Sequence, residues 1–433
     1  MRIIHKAFAG VAAVAICAAM SGVAQAQPTE VIHWWTSKAE SAGIKVIADA
    51  FNKDGGEWKD EAVAGSSAAK TAAINRIVGG NAPVAAQFSM GADINNLVES
   101  GLLANLDAVA QAGNWSKVIP ASVMSAISRD GHVYAVPVQL QATNFLFASK
   151  AALDKVGANM PKTWDEFFAT SDKLRAADIV PFAQAGDRDV WFMNTFAAVQ
   201  ASVGGAEGWK QFTGPKGADY VRSDAFKPVA EILAKLPKYA DSGVSGRQWN
   251  VTNQMILKGE AGFFIMGGWA IGEIVAAGKK PGEDVLCSIG PNNAPAVVNG
   301  DVWAMPAKGG NLTEAQKKLA ELTTSVDVQS KFTTAMGSLP IRSGVDASDY
   351  NACAAAGASA IEKGNSVSAL MIPFSPEKVG ALGLNSRFSG PSPMRSRMIT
   401  SRLSPASSKN TDVTDLRRPE LPAGSIPVSI IRG

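Results

Sequence analysis

The sequence predicts an α/β protein of two lobes, each built on a mainly parallel sheet flanked by helices, with three strands crossing between them. Its 433 residues exceed what one ordinary hydrophobic core organises. Short apolar runs alternate with segments of helical period from Val31 onward, which is typical of parallel sheets. Three extended segments interrupt this alternation, and we interpret them as the crossings.

The first lobe is predicted from three strands and the helices between them. The first strand ends at Trp34 and Trp35, and a helical period over 42–51 follows it. A second strand over 61–64 precedes another helix, and a third apolar strand covers 83–90. Ligands of such sheets bind at the carboxyl ends of the strands, so we expect a binding cleft there.

The three crossings set the expected lobe limits. We place the first near 136–138, the second in 297–305 and the third in 336–342. Three connecting strands favour bending over free tumbling of the lobes. The predicted limits are 27–136 with 299–338 for the first lobe and 137–298 with 339–380 for the second.

The N-terminus has the features of an export signal over 1–26. Arg2 and Lys6 precede a 14-residue apolar run at 7–20, and the small-residue sequence at 24–26 is typical of a cleavage site. The run is shorter than the ~20 residues that span a bilayer, although an uncleaved anchor is the alternative. We therefore expect an exported chain, periplasmic in a Gram-negative source.

The charge is unevenly distributed. The formal net charge of +3 combines a basic leader and a +5 tail over 381–433 with a body of −4. No basic stripe interleaved with aromatic residues runs along the body, so we expect no nucleic-acid partner. The tail is rich in Ser, Arg and Pro, and we hypothesise a change of reading frame near Leu382; a natural disordered tail is the alternative.

Two cysteines remain in the mature chain, Cys287 and Cys353. In an oxidising compartment they could form a disulfide, and two buried thiols are the equal alternative. His33 and His132 do not combine with them in a zinc-type spacing. We therefore predict neither a metal site nor a cofactor.

The candidate ligand site begins at the two tryptophans. Amphipathic rings beside Glu40 suit a polar ligand with an apolar face, such as a small sugar. Lys70 lies one turn into a helix whose free amides could help bind a hydroxyl, although a solvated lysine is the alternative. Further candidates are amide side chains at a strand end and in the first crossing: Gln87, Gln141 and Asn144.

The second lobe contributes Trp249 and Trp269. Most tryptophans belong to cores, but Trp269 follows two glycines at the end of an apolar strand, where an aromatic ring would face a cleft. Asn299 and Asp301 lie on the second crossing, and a carboxylate there can accept hydrogen bonds from adjacent hydroxyls. The glycine-rich segments lack the spacing of nucleotide-binding loops.

Over 27–380 the chain resembles the family 1 extracellular solute-binding proteins of bacterial ABC importers. The resemblance is carried by VYAVPV, PKTWDEF, KGEAGFFIMGGWA and GSLPIR in that order, and IHWWTSKAE is similar to the glucose and mannose carriers. It implies a type II-like periplasmic-binding-protein fold. It also implies a site with Trp34, Trp35 and Glu40 on one lobe, Lys70 and Gln87 beside them, and Trp249, Trp269 and Asp301 completing it.

Two positions depart from that branch. Met336 stands where a lysine is expected, and 366–371 contains no histidine. Two polar contacts are therefore missing, which argues against glucose more than against sugars in general.

Together these features predict a monomeric carrier that encloses a monosaccharide between its lobes and delivers it to a membrane permease. Another small solute, such as a disaccharide or a polyol, is the alternative ligand. An exported carbohydrate-active enzyme is the rival class, because Glu40 and Asp301 could be the paired carboxylates of a glycosidase.

Overall fold

The computed structural model describes residues 28–369 except 187–188, 308–310, 347 and 349. The predicted export signal and the 381–433 tail lie outside the described residues. So does the end of the predicted second lobe, 370–380.

The described residues form strands grouped in two main sheets and one small hairpin. The strands are β1 (Thr29–His33), β2 (Trp58–Ala62), β3 (Ala85–Ser89), β4 (Ser128–Arg129), β5 (His132–Val133), β6 (Ala135–Ala142), β7 (Phe145–Ser149), β8 (Val180–Ala183), β9 (Ala261–Met266), β10 (Val285–Ser288), β11 (Ala296–Ala304) and β12 (Ser366–Ser368).

Helices flank both sheets. They are α1 (Lys38–Lys53), α2 (Ser66–Val78), α3 (Ala92–Glu99), α4 (Asp107–Ala112), α5 (Trp115–Val118), α6 (Ala121–Ala126), α7 (Lys150–Lys155), α8 (Trp164–Ala176), α9 (Asp189–Thr213), α10 (Gly217–Arg222), α11 (Lys227–Lys235), α12 (Trp249–Leu257), α13 (Trp269–Ala276), α14 (Glu314–Thr323), α15 (Val326–Met336) and α16 (Ala352–Glu362). Within the described segments, none of the helices combines the length and the apolar character needed to cross a bilayer.

The first sheet has the strand order β12-β11-β3-β1-β2, with β6 also paired to β11. Strand β1 runs parallel to β2 and β3, as predicted, whereas β11 is antiparallel to β3 and to β6. Helices α1, α14 and α15 contribute to the core beside this sheet, whose largest fully buried side chains include Trp115 and Trp303.

The second sheet has the order β10-β7-β9-β8. Only β8 and β9 are parallel, while β7 is antiparallel to both β9 and β10. The prediction of a mainly parallel sheet is therefore wrong for this lobe. Strand β7 follows β6 after a two-residue break, so the crossing rather than a helical return sets its direction. The two-lobed α/β architecture is confirmed, since each sheet packs on its own apolar core.

The crossings lie side by side. Strands β6 and β11 pair from Ala135 with Ala304 to Ala142 with Val298. Leu140 and Leu339 exchange two backbone hydrogen bonds of 2.8 Å, which brings the third crossing against the first. Residues 136 and 138 pack in the first core, and the chain enters the second sheet only at β7. The lobe limits stay a prediction.

Cys287 and Cys353 form a disulfide that joins edge strand β10 to helix α16. Helix α16 also packs on the crossing region, where Gly357 lies close to the Phe145 and Leu339 side chains. The bond therefore anchors a helix that supports the connection between the lobes.

Replacing Cys287 and Cys353 together by alanine is expected to lower the free energy of unfolding by about 2–4 kcal/mol, because the bond closes a long loop in the unfolded chain. Urea unfolding of the oxidised protein and of the double variant measures this difference. Wild-type protein treated with a reductant is the matched control and should resemble the variant. Equal midpoints for all three samples would mean that the two thiols are unbonded.

Candidate functional site

A cleft of about 240 Å³ lies between the lobes and is lined by both. Its first wall comes from the ends of β1 and β3 and the starts of α1 and α2, its second wall from α9, α12 and α13, and its floor from crossing strands β6 and β11. The predicted residues that line it are Trp34, Trp35, Glu40, Gln141, Trp249, Trp269, Asn299 and Asp301.

The two adjacent tryptophans have different environments. Trp34 is partly exposed at the cleft, whereas Trp35 is 2% exposed and belongs mainly to the first core. Its ring meets Trp303 edge-to-face with centroids 5.4 Å apart. The sequence prediction that both rings face the ligand therefore applies chiefly to Trp34, because neighbouring residues of an extended chain point in opposite directions.

Side chains hold the backbone of this pair in place. Trp34 N donates to Gln87 Oε1 at 3.0 Å, and Trp35 N donates to His33 Nδ1 at 3.2 Å. His33 is fully buried and its Nε2 lies 2.9 Å from Asp60 Oδ1, so Nε2 carries the proton that is donated to Asp60. Gln87 therefore supports the cleft wall rather than lining it.

Glu40 is a cap of helix α1. Its Oε2 accepts hydrogen bonds from the backbone of Thr36 at 3.0 Å and Ser37 at 2.9 Å, which completes a capping box with the Ser37 side chain. Burial raises the pKa of the Glu40 carboxyl, these hydrogen bonds lower it, and the nearby Glu273 charge raises it further. The carboxylate lines the cleft, but the hydrogen bonds that it accepts stabilise the start of helix α1.

Lys70 lies beside Trp34 and is not among the residues that line the cleft. It forms an ion pair with Asp93 and donates to Ser89 Oγ at 3.3 Å. Its ammonium is 5.5 Å from the centroid of the Trp34 ring, within cation–π range. The prediction that Lys70 contacts a ligand hydroxyl stays a prediction, since in this arrangement its ammonium contacts Asp93, Ser89 and the Trp34 ring.

Asp301 provides a carboxylate in the floor. Gln139 Nε2 donates to its Oδ2 at 2.6 Å. Burial raises the pKa of Asp301 to about 6, against the opposing influence of the Gln139 and Gln87 amides and the Lys70 charge. The group is therefore mostly ionised at neutral pH and is a strong hydrogen-bond acceptor.

Asn144 lies outside the cleft lining. Its Nδ2 donates to Pro295 O at 2.9 Å and its Oδ1 accepts from Val297 N at 2.8 Å. Both ends of the amide therefore tie the first crossing to the second. An amide in a crossing strand can serve the backbone as well as a ligand, and the sequence does not distinguish these roles.

Trp191 also lines the cleft, although the sequence patterns do not single it out. Its ring lies 6.4 Å from that of Trp249 and 6.2 Å from that of Trp269, centroid to centroid. It comes from the start of the long helix α9, and no strand end or glycine pair marks it. Gln248 and Asn250 also line the cleft. They flank Trp249 in the sequence, which is the feature that could have identified them.

The site has no evident means of holding a metal ion. Among the residues that the structure describes, no three His, Cys, Asp or Glu side chains are grouped as metal ligands. What the cleft offers is aromatic faces on two walls, amides and the carboxylates of Glu40 and Asp301, which are groups for reversible binding.

Comparison with known proteins agrees with this geometry. The chain is 37% identical over 377 residues to a probable sugar-binding periplasmic protein of Brucella melitensis biotype 1, covering 86% of this chain and 89% of that protein. Among solved structures, a chitin oligosaccharide binding protein has a similar fold, with a TM-score of 0.68 at 18% identity over 84% of this chain and 94% of the other.

A second solved structure shows the same fold. It is the bacterial solute receptor AcbH, described as having an exclusive preference for β-D-galactopyranose; its TM-score is 0.67 at 18% identity, over 86% of this chain and 99% of that one. The family model for bacterial extracellular solute-binding proteins matches residues 46–357. The predicted resemblance is confirmed, and the chain belongs to the bacterial extracellular solute-binding protein family.

Proposed function

We propose that the protein is a periplasmic sugar-binding protein that captures a monosaccharide between its two lobes and delivers it to an ABC-type importer. The observation that carries this proposal is the cleft itself, with tryptophan rings on both walls above a polar floor. A sugar has apolar C–H faces and a polar rim of hydroxyls, so it matches both kinds of surface.

The size of the cleft favours one sugar ring. Its volume of about 240 Å³ lies just below the ~300–1,000 Å³ that is usual for pockets that bind drug-sized ligands. That space suits the twelve heavy atoms of a hexose better than a longer oligosaccharide. A disaccharide is the alternative and would need a wider separation of the lobes.

The polar groups suit hydroxyls. Asp301 can accept from two of them, while the Gln141 and Asn299 amides both donate and accept. The Trp269 Nε1–H is buried, and within the described part of the chain it has no hydrogen-bond acceptor. A sugar oxygen would satisfy that donor, whose burial unpaired costs about 1–3 kcal/mol.

Glucose is not the monosaccharide we favour. Met336 is buried in the first core and supplies no polar group to the cleft. In β12, Ser366–Ser368 pairs with β11 and does not line the cleft. Neither Met336 nor the described strand Ser366–Ser368 therefore supplies the polar contacts that the resemblance to the glucose and mannose carriers implies.

The enzyme alternative has less support. A glycosidase needs two carboxylates free to act on one bond. The carboxylate of Glu40 caps α1, which leaves Asp301 without a matched partner in the cleft lining. Reversible binding therefore accounts better for the site.

Titration of the mature protein with monosaccharides, disaccharides and polyols tests the proposal. One monosaccharide should change tryptophan fluorescence saturably and stabilise the fold by about 2.7 kcal/mol at a concentration 100-fold above its Kd. The unliganded protein fixes the baseline melting temperature. Binding of disaccharides alone would favour the alternative ligand, released product would favour an enzyme, and folded protein that binds none of the sugars would refute the proposal.

A further inference from the structure

Two hydrogen bonds join the start of α1 in the first lobe to α13 in the second. Glu273 Oε1 accepts from Ala39 N at 2.8 Å, and Lys38 Nζ donates to Ala276 O at 3.0 Å. Glu273 is only 9% exposed. We call this pair of contacts, Ala39 with Glu273 and Lys38 with Ala276, the interlobe clasp.

The chemistry of the clasp matches the two helix ends. Free backbone amides at the start of the 16-residue helix α1 carry partial positive charge, which favours the Glu273 carboxylate. The carbonyl groups at the end of α13 carry partial negative charge, which favours the Lys38 ammonium. A carboxylate shielded from water is tolerated only with such partners, so separating the lobes here requires water to replace them.

The clasp is directly connected to the cleft. Helix α13 begins at Trp269, and Glu273 lies one turn further on; helix α1 begins just after Trp34 and Trp35. The two helices that meet in the clasp therefore start at opposite aromatic walls. Because both helices begin at the cleft, a change in their separation at the clasp would also change the distance between its aromatic walls.

Gly272 permits this close approach. A Cβ atom at that position would lie 2.9 Å from Ala39 Cβ and 2.8 Å from Met336 O, closer than side chains tolerate. The absence of a side chain at Gly272 lets the carboxylate of the next residue reach the backbone of α1.

We propose that Glu273 is a positioning residue for ligand capture, which closes the cleft by capping α1 from the opposite lobe. This inference rests on the proposed function, in which the ligand is bound between the walls. Neither Glu273 nor Ala39 lines the cleft, so the clasp contributes equally to the affinity for every ligand that the closed cleft accepts. The clasp favours the closed arrangement of the lobes whether or not a ligand is bound, so loss of the clasp reduces the closed population of the ligand-free protein.

The Glu273→Ala variant tests the inference, with Glu273→Gln as the conservative change and Glu260→Gln as a control at an exposed carboxylate of the same lobe. Spin labels on cysteines introduced at the exposed positions Val78 and Val251 report the distance between the lobes. Without ligand, the share of molecules with the short distance between the labels should fall in Glu273→Ala. It should fall less in Glu273→Gln, because the glutamine keeps an acceptor oxygen. The Glu260→Gln control should match the wild type.

Affinity gives the second readout. Glu273→Ala should bind each sugar that the wild type binds about 10-fold or more weakly, with the order of preference unchanged. Unfolding curves for each variant establish that the protein tested is folded. Identical distance distributions for wild type and Glu273→Ala would overturn the inference, as would unchanged affinity. If the wild type binds none of the sugars, the proposed function fails, while the ligand-free distances still decide whether the clasp holds the lobes together.

Discussion

Replacing Asp301 by asparagine is expected to weaken sugar binding about 100-fold while stabilising the unliganded protein at neutral pH. The carboxylate would accept charge-assisted hydrogen bonds from sugar hydroxyls, each contributing about 1.5–3 kcal/mol. Asparagine keeps one acceptor for Gln139 but loses the charge. Titration calorimetry with the sugar identified for the wild type measures the affinity.

The stability gain follows from the raised pKa of Asp301, about 6 against an ordinary value of 3.8. The folded state binds this proton more tightly than the unfolded state between those values. Stability from this group is therefore greatest below about pH 4 and is lost as the pH rises through about 6. The full pKa shift corresponds to a change of at most about 3 kcal/mol in the free energy of unfolding. Contact of the carboxyl group with water in the cleft makes this contribution smaller.

Two comparisons separate this effect from a general charge effect. Asp165→Asn removes an exposed carboxylate from the second lobe and should change neither binding nor the pH profile of stability. Sugar binding by the wild type should itself weaken below about pH 6, as Asp301 becomes protonated. Wild-type affinity in Asp301→Asn would show that the carboxylate does not contact the ligand.

Replacing Trp35 by alanine is expected to lower the free energy of unfolding by about 3–5 kcal/mol, because a fully packed ring would leave a cavity beside Trp303 and Phe332. Replacing Trp34 should cost less stability but weaken sugar binding about 10-fold or more, since its ring lies at the cleft. Urea unfolding and sugar titration of both variants measure the two effects.

Trp58→Ala is the matched control for Trp34. Trp58 is a partly buried tryptophan of the first lobe that does not line the cleft. Its loss should cost some stability and leave sugar binding unchanged. The assignment of roles would be wrong if Trp34→Ala bound sugar normally, or if Trp35→Ala were as stable as the wild type.

Sequence patterns located much of the site because cleft residues of an α/β sheet follow strand ends. Trp34 and Trp269 were predicted from that position, and Asp301 from its crossing strand; all three line the cleft. Trp191 comes from a helix and has no strand end to mark it, and only the fold brings its ring beside those of Trp249 and Trp269.

The roles of the polar residues were harder to predict, because the same side chain can serve a ligand or the backbone. Glu40 has the sequence features of a ligand-binding carboxylate and is a helix cap. Asn144 has those of a ligand-binding amide, but both its polar ends bond to the backbone. Lys70 contacts the ring of Trp34, and Gln87 accepts a hydrogen bond from its backbone N–H.

The sequence by itself determined the two-lobed α/β architecture and most of the aromatic residues of the cleft, since both follow from local periodicity and strand ends. Only the tertiary structure decided the direction of β7, the division of labour between Trp34 and Trp35, and the meeting of Glu273 with Ala39. The physical reason is that these features depend on residues far apart in the chain, whose packing and hydrogen bonds no local pattern records.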